Sequence, residues 1–484
     1  MTSGQGWTRR GVLGAAGASV AAGPGIAAPS GDLRGDVAIL RDACGALHPG
    51  LHRYATPSQV EDGLARLERA LVDGRALADR FLALNRFTSL VKCGHTQPNP
   101  FNQSRAVTEA ILQPRRLPFT FQWLAGEMVV TWAEAATSLP RGARILEVDG
   151  RRAPDILRRL LPLARADGNN TGKRIAQMGV RGAGRFEAFD IGYALLFGEP
   201  GERVRLRVVL PGETTARRIE VAGLAGTGTR LPVPDARSAA PLWTVDRLPE
   251  GVIRLTMPSW GVFNSKWDWS SFLAGVLDEA AEARVLIVDI RGNEGGADCG
   301  DAILRRLVRQ DTRPEPYRRK TRYRSTPPAL DPYLETWNRR FRDWGEEATG
   351  PDQDGFYTLR EAADGGVIRP EGRPVRARVH VLVDETCSSA TFQFARIVRD
   401  TGVATLAGTT TGGNLRGINS GGIFFLRLPA SGLEVDLPLI GGFPDRPRPD
   451  AGVAPDLRVE TTARDIVAGR DPVLERVLGL AARG

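Results

Sequence analysis

The spacing of apolar residues predicts helices in the first part of the chain. Between residues 32 and 96 they recur at three- and four-residue intervals, as in Val37, Leu40 and Leu47 and then in Val60, Leu64, Leu67 and Leu71. Ser58 followed by Glu61 predicts a capping box that opens the second helix, with Thr56-Pro57 just outside it. A third helix is predicted near residues 77–90. We therefore expect a helical cap over residues 32–96.

A β-rich pattern follows between residues 117 and 225. Short apolar runs predict strands at 119–121, 128–130, 143–148 and 203–209, with one helix over 154–163. Gly142 and the run from Ile145 to Gly150 are similar to the strand and turn of PDZ-like peptide-binding domains. The glycine-rich residues 165–197 would interrupt a standard domain of that kind. We predict a PDZ-like domain over 117–225, followed by a linker.

Strands and helices alternate again in the third region, residues 241–470. The apolar run from Val285 to Ile290 predicts a central strand buried on both faces, and a glycine-rich turn ending at Gly296 follows it. The polar residues 310–372 are interpreted as an insertion or lid. A second strand then alternates Val375, Ala377, Val379 and Val381 with Arg376, Arg378 and His380. This alternation predicts that His380 lies on a polar face.

This second strand leads into the turn around which the chain is organised. Val381 to Val383 precede a polar stretch that contains Ser388 and Ser389, and Ala390 begins a predicted helix. A serine at such a turn projects from the end of the sheet, and the free N–H groups of the helix start can stabilise an oxyanion. Small hydroxyl residues also cap helices, and that function is more common. The turn by itself therefore leaves both interpretations open.

Composition narrows the class of protein. The chain has 484 residues, enough for two or three domains, and 42% hydrophobic with 25% charged residues is typical of a soluble globular protein. Its formal charge of +9 comes from scattered arginines, because only Lys92, Lys173, Lys266 and Lys320 are lysines. Since such arginine-rich, lysine-poor usage is typical of compositional bias more than of a nucleic-acid footprint, a nucleic-acid partner is not expected.

The N-terminus predicts export. Arg9-Arg10 precede a weakly apolar run that is rich in glycine and alanine and is interrupted by Pro24, with small residues up to Ala28. This resembles a twin-arginine signal over residues 1–28 and implies a periplasmic or extracellular protein without a stable membrane span. An ordinary secretory signal with a chance arginine pair is the alternative.

Four cysteines remain in such an exported chain: Cys44, Cys93, Cys299 and Cys387. An oxidising compartment permits disulfides, and four cysteines allow three complete pairings that the sequence does not rank. Their spacing matches no zinc pattern, so no metal is predicted. Small buried residues or disulfide partners are more common than thiol nucleophiles at positions such as Cys93 and Cys387.

Several motifs resemble those of one enzyme family. Asp289 to Gly296 looks like the D-x-R-x-N-x-G-G motif of tail-specific, or C-terminal-processing, serine peptidases, and Val381 to Thr391 is similar to their nucleophile segment. Ala404 to Gly408 and Gly452 to Asp456 resemble a following strand and a closing turn. The resemblance implies a fold of the α+β or α/β class, with a helical cap, a PDZ-like domain and a crotonase-like (ββα) peptidase core.

The resemblance also implies site residues. Ser389, and not Ser388, would be the nucleophile. The backbone N–H groups of Ala390 and Gly295, with Gly296 as the less favoured choice, would form the oxyanion hole. Neither a cofactor nor a metal is implied.

The general base departs from the commonest pattern of the family. Many members use a lysine after the serine, but Asn414 stands at the matching position and all four lysines precede Ser389. A second branch, related to the tricorn protease core, uses a histidine from a G-H-T segment. Gly94-His95-Thr96 fits that segment, so the resemblance implies His95 as the base.

The remaining histidines and two acids complete the set of candidates. His48 and His52 flank a turn of the cap and are interpreted as structural, as is His380. Glu434 and Asp436 are candidates to orient the imidazole of His95, or are outward-facing residues of an alternating strand.

The predicted function is that of an exported serine endopeptidase acting on proteins or peptides, of unspecified oligomeric state. Two alternatives stay open. One is a binding protein on the same scaffold that has lost catalysis, since family members often carry Asp two residues before this histidine or Ser directly before it, where Cys93 and Gly94 stand here. The other is a hydrolase of small acyl esters or amides, because a serine-histidine pair does not determine the substrate.

Overall fold

The computed structural model describes residues 32–226, 228–232, 235, 237–360 and 366–482. The predicted signal, residues 1–28, lies outside the described residues and stays a prediction. The described chain mixes helices with three sheets of six strands each, so the predicted mixed fold class is confirmed.

The first region is helical, as its periodicity predicts. Its helices are α1 (Leu33–Leu47), α2 (Pro57–Asp73), α3 (Leu77–Leu90) and α4 (Arg105–Ile111). The predicted capping box of Ser58 and Glu61 is wrong: Thr56 caps α2, and its side chain and that of Gln59 exchange hydrogen bonds with each other's backbone N–H. Pro57 explains the difference, because proline suits the first helical position and so makes the preceding residue the cap.

The middle region forms one antiparallel sheet with helices. Its elements are β1 (Phe119–Leu124), β2 (Glu127–Ala133), β3 (Arg144–Val148), β4 (Arg151–Arg152), α5 (Ala153–Leu160), α6 (Thr171–Gln177), α7 (Ala188–Phe197), β5 (Arg203–Val209) and β6 (Arg217–Ala222). The strand order is β1-β2-β3-β5-β6, and β4 pairs with β3. The glycine-rich interruption contains α6 and α7, and its first part, residues 165–173, is called the strap below. The PDZ-like assignment of residues 117–225 stays a prediction.

The third region supplies two sheets. Its elements are β7 (Thr244–Leu248), β8 (Val252–Thr256), α8 (Trp269–Ala280), β9 (Val285–Asp289), α9 (Cys299–Leu307), β10 (Tyr317–Thr321), β11 (Leu334–Glu335), β12 (Ala348–Thr349), β13 (Tyr357–Leu359), β14 (Arg378–Val383), α10 (Ala390–Thr401), β15 (Thr405–Gly408), β16 (Asn419–Leu428), β17 (Leu433–Pro444), β18 (Leu457–Arg458), α11 (Ala463–Ala468) and α12 (Pro472–Ala481).

The mainly parallel sheet brings the two predicted turns together. Its order is β18-β15-β14-β9-β8-β7, and only the β7–β8 pair is antiparallel. The predicted central strand β9 is buried along its whole length, and Asp289 at its end is opposite Leu382 of the parallel strand β14. Since parallel neighbours end at the same edge, the glycine turn and the serine turn are adjacent.

One expectation for this sheet is wrong. His380 does not lie on a polar face: only 3% of it is exposed, and from Val379 onward β14 is buried on both faces. A central parallel strand is covered on both sides, so the alternation of Val and Arg before it does not continue. Burial lowers the pKa of His380.

The helical cap packs on the other large sheet. That sheet has the order β11-β16-β17-β10-β13-β12, and one apolar cluster includes both cap residues such as Leu40 and sheet residues such as Leu437. The carboxylate of Asp36 on α1 accepts hydrogen bonds from the backbone N–H groups of Ala430 (2.9 Å) and Ser431 (2.7 Å). Residues 310–372, predicted as an insertion or lid, contribute β10 to β13 to this sheet, with Phe341 and Trp344 in the shared cluster.

The four cysteines are buried and free, so none of the three possible pairings is formed. Each described helix is either too short or too polar to span a bilayer. Within the described part of the chain, no group of three or more His, Cys, Asp or Glu side chains is arranged to hold a metal ion.

Candidate active site

Ser389 lies in a strained turn between β14 and α10. Its backbone has φ 52° and ψ −124°, a conformation that non-glycine residues rarely adopt and that costs on the order of 1–3 kcal/mol. Ser389 occupies the N-cap position, but its side chain makes no capping hydrogen bond. The hydroxyl is therefore not used for helix capping, which was the more common function expected of a serine here.

His95 faces this hydroxyl from the cap. Nε2 of His95 lies 3.2 Å from Oγ of Ser389, and 294 residues separate the two in sequence. The distance is within hydrogen-bonding reach of a general base. Nδ1 of His95 is buried and has no hydrogen-bond partner among the described residues.

The surroundings of His95 keep its ring neutral. Burial, followed by the positive charges of Arg165 and Lys173, lowers the pKa of His95 to about 4, while Glu294 acts in the opposite direction. A neutral imidazole can accept a proton. At neutral pH the ring is therefore in the form that a general base requires.

The backbone on both sides of His95 is held in place. Gly94 donates its N–H to Oδ1 of Asp167 (2.9 Å) and accepts at its carbonyl from Nη1 of Arg165 (2.6 Å). On the other side, Oγ1 of Thr96 lies 2.8 Å from Nε2 of His48. Nδ1 of His48 accepts the N–H of Gly50 at 3.0 Å, so the ring proton of His48 is on Nε2 and is donated to Thr96. His48 thus has a structural function, and His52 is exposed.

The expected oxyanion donors lie beside the serine but differ in availability. The N–H of Ala390, the first residue of α10, has no acceptor among the described residues. The N–H of Gly295 is donated to Oδ1 of Asn293 at 2.8 Å, whereas that of Gly296 has no acceptor in the described chain. Gly295 nevertheless approaches the serine turn closely, since a Cβ built on it would lie 2.8 Å from Cβ of Ser389 and 2.9 Å from the nitrogen of Ala390.

The two candidate acids are not hydrogen-bonded to the imidazole. The carboxylate of Asp436 accepts from Nδ2 of Asn99 (3.1 Å) and Nδ2 of Asn102 (3.0 Å), and burial raises the pKa of Asp436 to about 6. Glu434 lies 3.8 Å from Nε of Arg427. Both are buried, so the alternative of outward-facing strand residues is wrong. Asp436 instead anchors the loop after His95, because its backbone pairs with that of Gln97.

Sequence reasoning missed a lysine at the site. Nζ of Lys173, from the strap, donates to Oε1 of Glu294 (2.5 Å), to the carbonyl of Thr386 (3.1 Å) and to Oγ of Ser388 (3.3 Å). The side chain of Lys173 is 4% exposed, whereas that of Glu294 is 42% exposed. The partial burial of Glu294 would by itself raise the pKa of this carboxyl, but the positive charges of Lys173 and Arg165 outweigh that effect and lower the pKa to about 2. The rarity of lysine in this arginine-rich chain was the one available signal.

Other candidates near the serine have structural contacts. Burial raises the pKa of the thiols of Cys387 and Cys93, so neither is an activated nucleophile. Asn414, at the position matching the family's lysine, donates to the carbonyl of Asp167 (3.1 Å) and to Oδ1 of Asp450 (2.7 Å).

Comparison with known proteins gives a family and a fold. The model of Peptidase family S41 matches residues 251–422. No curated protein matches the chain in sequence. The solved structure of mature CPAF complexed with lactacystin is 16% identical, with a TM-score of 0.60 over 93% of this chain and 97% of that one. A further structure of mature CPAF is 15% identical, with a TM-score of 0.61 over 93% and 96% of the two chains.

At such low identity the structural matches establish the fold, which extends over nearly the whole chain. The family model covers β8, β9, β14 and α10, and therefore both turns that meet at Ser389. The expected relationship to serine peptidases is thereby confirmed at the level of the family. Residues 251–422 thus match peptidase family S41, the family that the sequence motifs resemble.

Proposed function

We propose that the protein is a serine peptidase that uses Ser389 as nucleophile and His95 as general base. The observation that carries this proposal is the 3.2 Å approach of Nε2 of His95 to Oγ of Ser389. The strained φ of Ser389 and its uncapped hydroxyl support it, because strain of this kind persists where the surrounding structure enforces it and is concentrated at functional sites.

The chemistry follows from this geometry. Oγ of Ser389 attacks the scissile carbonyl while Nε2 of His95 takes the hydroxyl proton. The resulting oxyanion is stabilised by the free N–H of Ala390 and by a second N–H from the glycine turn; such donors each contribute about 3 kcal/mol. For that second donor, Gly296 is now favoured over Gly295, because Asn293 occupies the N–H of Gly295. The protonated imidazole then gives its proton to the leaving amine, and water hydrolyses the acyl-enzyme by the same route.

The finer parts of the proposal concern location and substrate. Residues 1–28 would direct export by the twin-arginine route, to the periplasm or the exterior. Residues 117–225, as a PDZ-like domain, would bind the peptide or protein substrate, and cleavage would be internal to it. With His95 as the base, the chain would belong to the histidine-containing branch of the family, and this chemistry requires neither a metal nor a cofactor.

Cleavage of a mixed peptide library, read as new termini by mass spectrometry, tests the proposal. The chain without residues 1–28 should cut peptides, and Ser389→Ala and His95→Ala should each abolish cutting. His52→Ala and Ser58→Ala are matched controls, since both residues are exposed on the cap and should leave cutting unchanged. Cutting that survives in Ser389→Ala would refute the assignment of the nucleophile.

A binding protein without catalysis is the second candidate, and one observation favours it. The buried Nδ1 of His95 has no partner, whereas an active triad base is oriented through this nitrogen. If the wild-type chain cuts no peptide but binds some of them, this candidate is supported. Hydrolysis of small acyl esters without peptide cutting would instead support the third possibility, a small-acyl hydrolase.

A further inference from the structure

We propose that Lys173 is a positioning residue that joins the glycine turn to the serine turn and so holds Ser389 in its reactive geometry. The inference rests on the proposed function and deepens it by adding a residue outside residues 251–422. Lys173 reaches neither Ser389 nor His95 with a hydrogen bond, so its effect on the reaction passes through the two turns.

The contacts of Lys173 satisfy the side chain completely. An ammonium group has three hydrogens, and Nζ has three acceptors: Oε1 of Glu294, the carbonyl of Thr386 and Oγ of Ser388. Glu294 belongs to the turn after β9, and the other two belong to the turn after β14. One buried cation therefore bonds both turns on either side of the site at which the substrate carbonyl would lie.

The backbone of the strap places Lys173 there. Oδ1 of Asn170 accepts the N–H of Lys173 (3.0 Å) and caps α6. Nδ2 of the same asparagine donates to the carbonyls of Thr411 (2.9 Å) and Gly413 (3.0 Å), which follow β15. These bonds attach the start of α6 to the peptidase core and not only to the middle sheet.

The same strap also holds the loop of His95. Asp167 and Arg165 bond the N–H and the carbonyl of Gly94, directly before the histidine. The carbonyl of Lys92 accepts the N–H of Gly168 at 2.9 Å. The strap therefore bonds the segments directly before His95 and before Ser389, which come from distant parts of the chain.

A charge effect accompanies this geometry and provides a specific readout. The charged groups that act on His95 are Arg165 and Lys173, which lower its pKa, and Glu294, which raises it. Removing the charge of Lys173 should therefore raise the pKa of His95. A purely structural lysine elsewhere in the fold would not change that pKa.

The experiment compares Lys173→Met with Lys320→Met in the full mature chain. Lys320 is a matched control, because its Nζ also forms an ion pair, with Asp352 at 2.8 Å, but on β10, within the other sheet. Labelling of Ser389 by a fluorophosphonate probe is followed from pH 4 to pH 9, together with kcat and KM for a cleaved peptide and with the melting temperature. A displacement of a reacting group by about 1 Å costs about 100-fold in rate. We therefore expect Lys173→Met to lower both the labelling rate and kcat by about 10- to 100-fold, with KM little changed. In Lys173→Met, the acid limb of the pH profile of labelling should move to higher pH. Lys320→Met should match the wild type in labelling rate, kcat and pH profile.

Two further variants separate positioning from other effects. Lys173→Met/Glu294→Gln also removes the carboxylate that has lost Lys173 and retains only Arg165, at 3.5 Å. We expect its labelling to stay slow, and recovery to the wild-type rate would overturn the proposal. If Lys173→Met does not fold, Lys173→Gln, which retains an N–H donor but loses the positive charge, decides: slower labelling with its acid limb at higher pH supports the proposal, and wild-type labelling overturns it. Wild-type labelling and kcat in a folded Lys173→Met would also overturn it. An unlabelled, inactive wild type would refute the proposed peptidase function, which is a different failure.

Discussion

His95 and Ser389 meet at 3.2 Å although one belongs to the helical cap and the other to the parallel sheet. The cap reaches the site because it packs on β16 and β17, two strands that follow the serine helix in the chain. The pair therefore depends on the contact between the cap and the core. Removing the cap should remove the base as well.

Substitution of the pair should show that the two residues act as a unit. We expect Ser389→Ala and His95→Ala each to lower kcat by about 10⁴- to 10⁶-fold, because neither the nucleophile nor its base works alone. The double variant should be no slower than Ser389→Ala. Steady-state kinetics on a cleaved peptide measures this, and multiplicative losses in the double variant would contradict a shared step.

The pH profile should reflect the lowered pKa of His95. Because burial and the neighbouring cations lower that pKa to about 4, the ring stays neutral well below the usual value near 6.5. We expect kcat/KM to be flat from pH 7 down to about pH 5 and to fall only as the pH approaches 4. An acid limb near pH 6.5 would show that His95 is solvated in the working enzyme or is not the base.

Substitution of Gly295 should inactivate the protein through contact with the serine turn, in addition to the strain of its backbone. Gly295 has φ 101°, and an added Cβ would lie 2.8 Å from Cβ of Ser389 and from the carbonyl oxygen of Ser388. We expect Gly295→Ala to lower kcat by at least about 100-fold, because the serine turn must shift. Gly126→Ala is the matched control: Gly126 also has a positive φ, 83°, but an added Cβ meets nothing within 4 Å. It should cost only stability, and equal activity losses in the two variants would point to unfolding.

His48 should make the protein less stable in mild acid. Burial lowers its pKa from 6.5 to about 3, so between these values the unfolded chain binds a proton that the folded chain does not. The stabilising contribution of neutral His48 is complete above pH 6.5 and decreases as the pH falls. It amounts to about 2 kcal/mol lost by pH 5.

Urea unfolding at pH 7.5 and pH 5 tests this expectation with His48→Gln. Glutamine can retain a hydrogen bond but does not titrate, so the variant should lose less stability than the wild type over that interval. The exposed His52→Gln should behave as the wild type. Parallel losses in all three chains would mean that other groups account for the acid sensitivity.

Local sequence patterns determined the helices of the cap, the central strand and the turn that contains Ser389. The helices of the cap, the buried strand β9 and the strand-turn-helix around Ser389 follow from the spacing of apolar residues, which reflects the faces that each element buries. The motifs from Asp289 to Gly296 and from Val381 to Thr391 also pointed to the family. Two predictions from local patterns were wrong. Pro57 occupies the first position of α2, so the N-cap residue is Thr56 and not Ser58. His380 is buried because its strand is covered on both faces of the sheet.

Only the tertiary structure decided how the site is assembled. The approach of His95 to Ser389 depends on how the cap packs against a sheet formed hundreds of residues later. The contacts of Lys173 depend on a strap that appeared in the sequence only as a glycine-rich interruption. The hydrogen bond from Gly295 to Asn293 and the burial of Glu434 and Asp436 likewise follow from distances that no periodicity encodes. The physical reason is that sequence spacing reports which face of one element is buried, whereas hydrogen bonds and charge effects at a site depend on distances between elements.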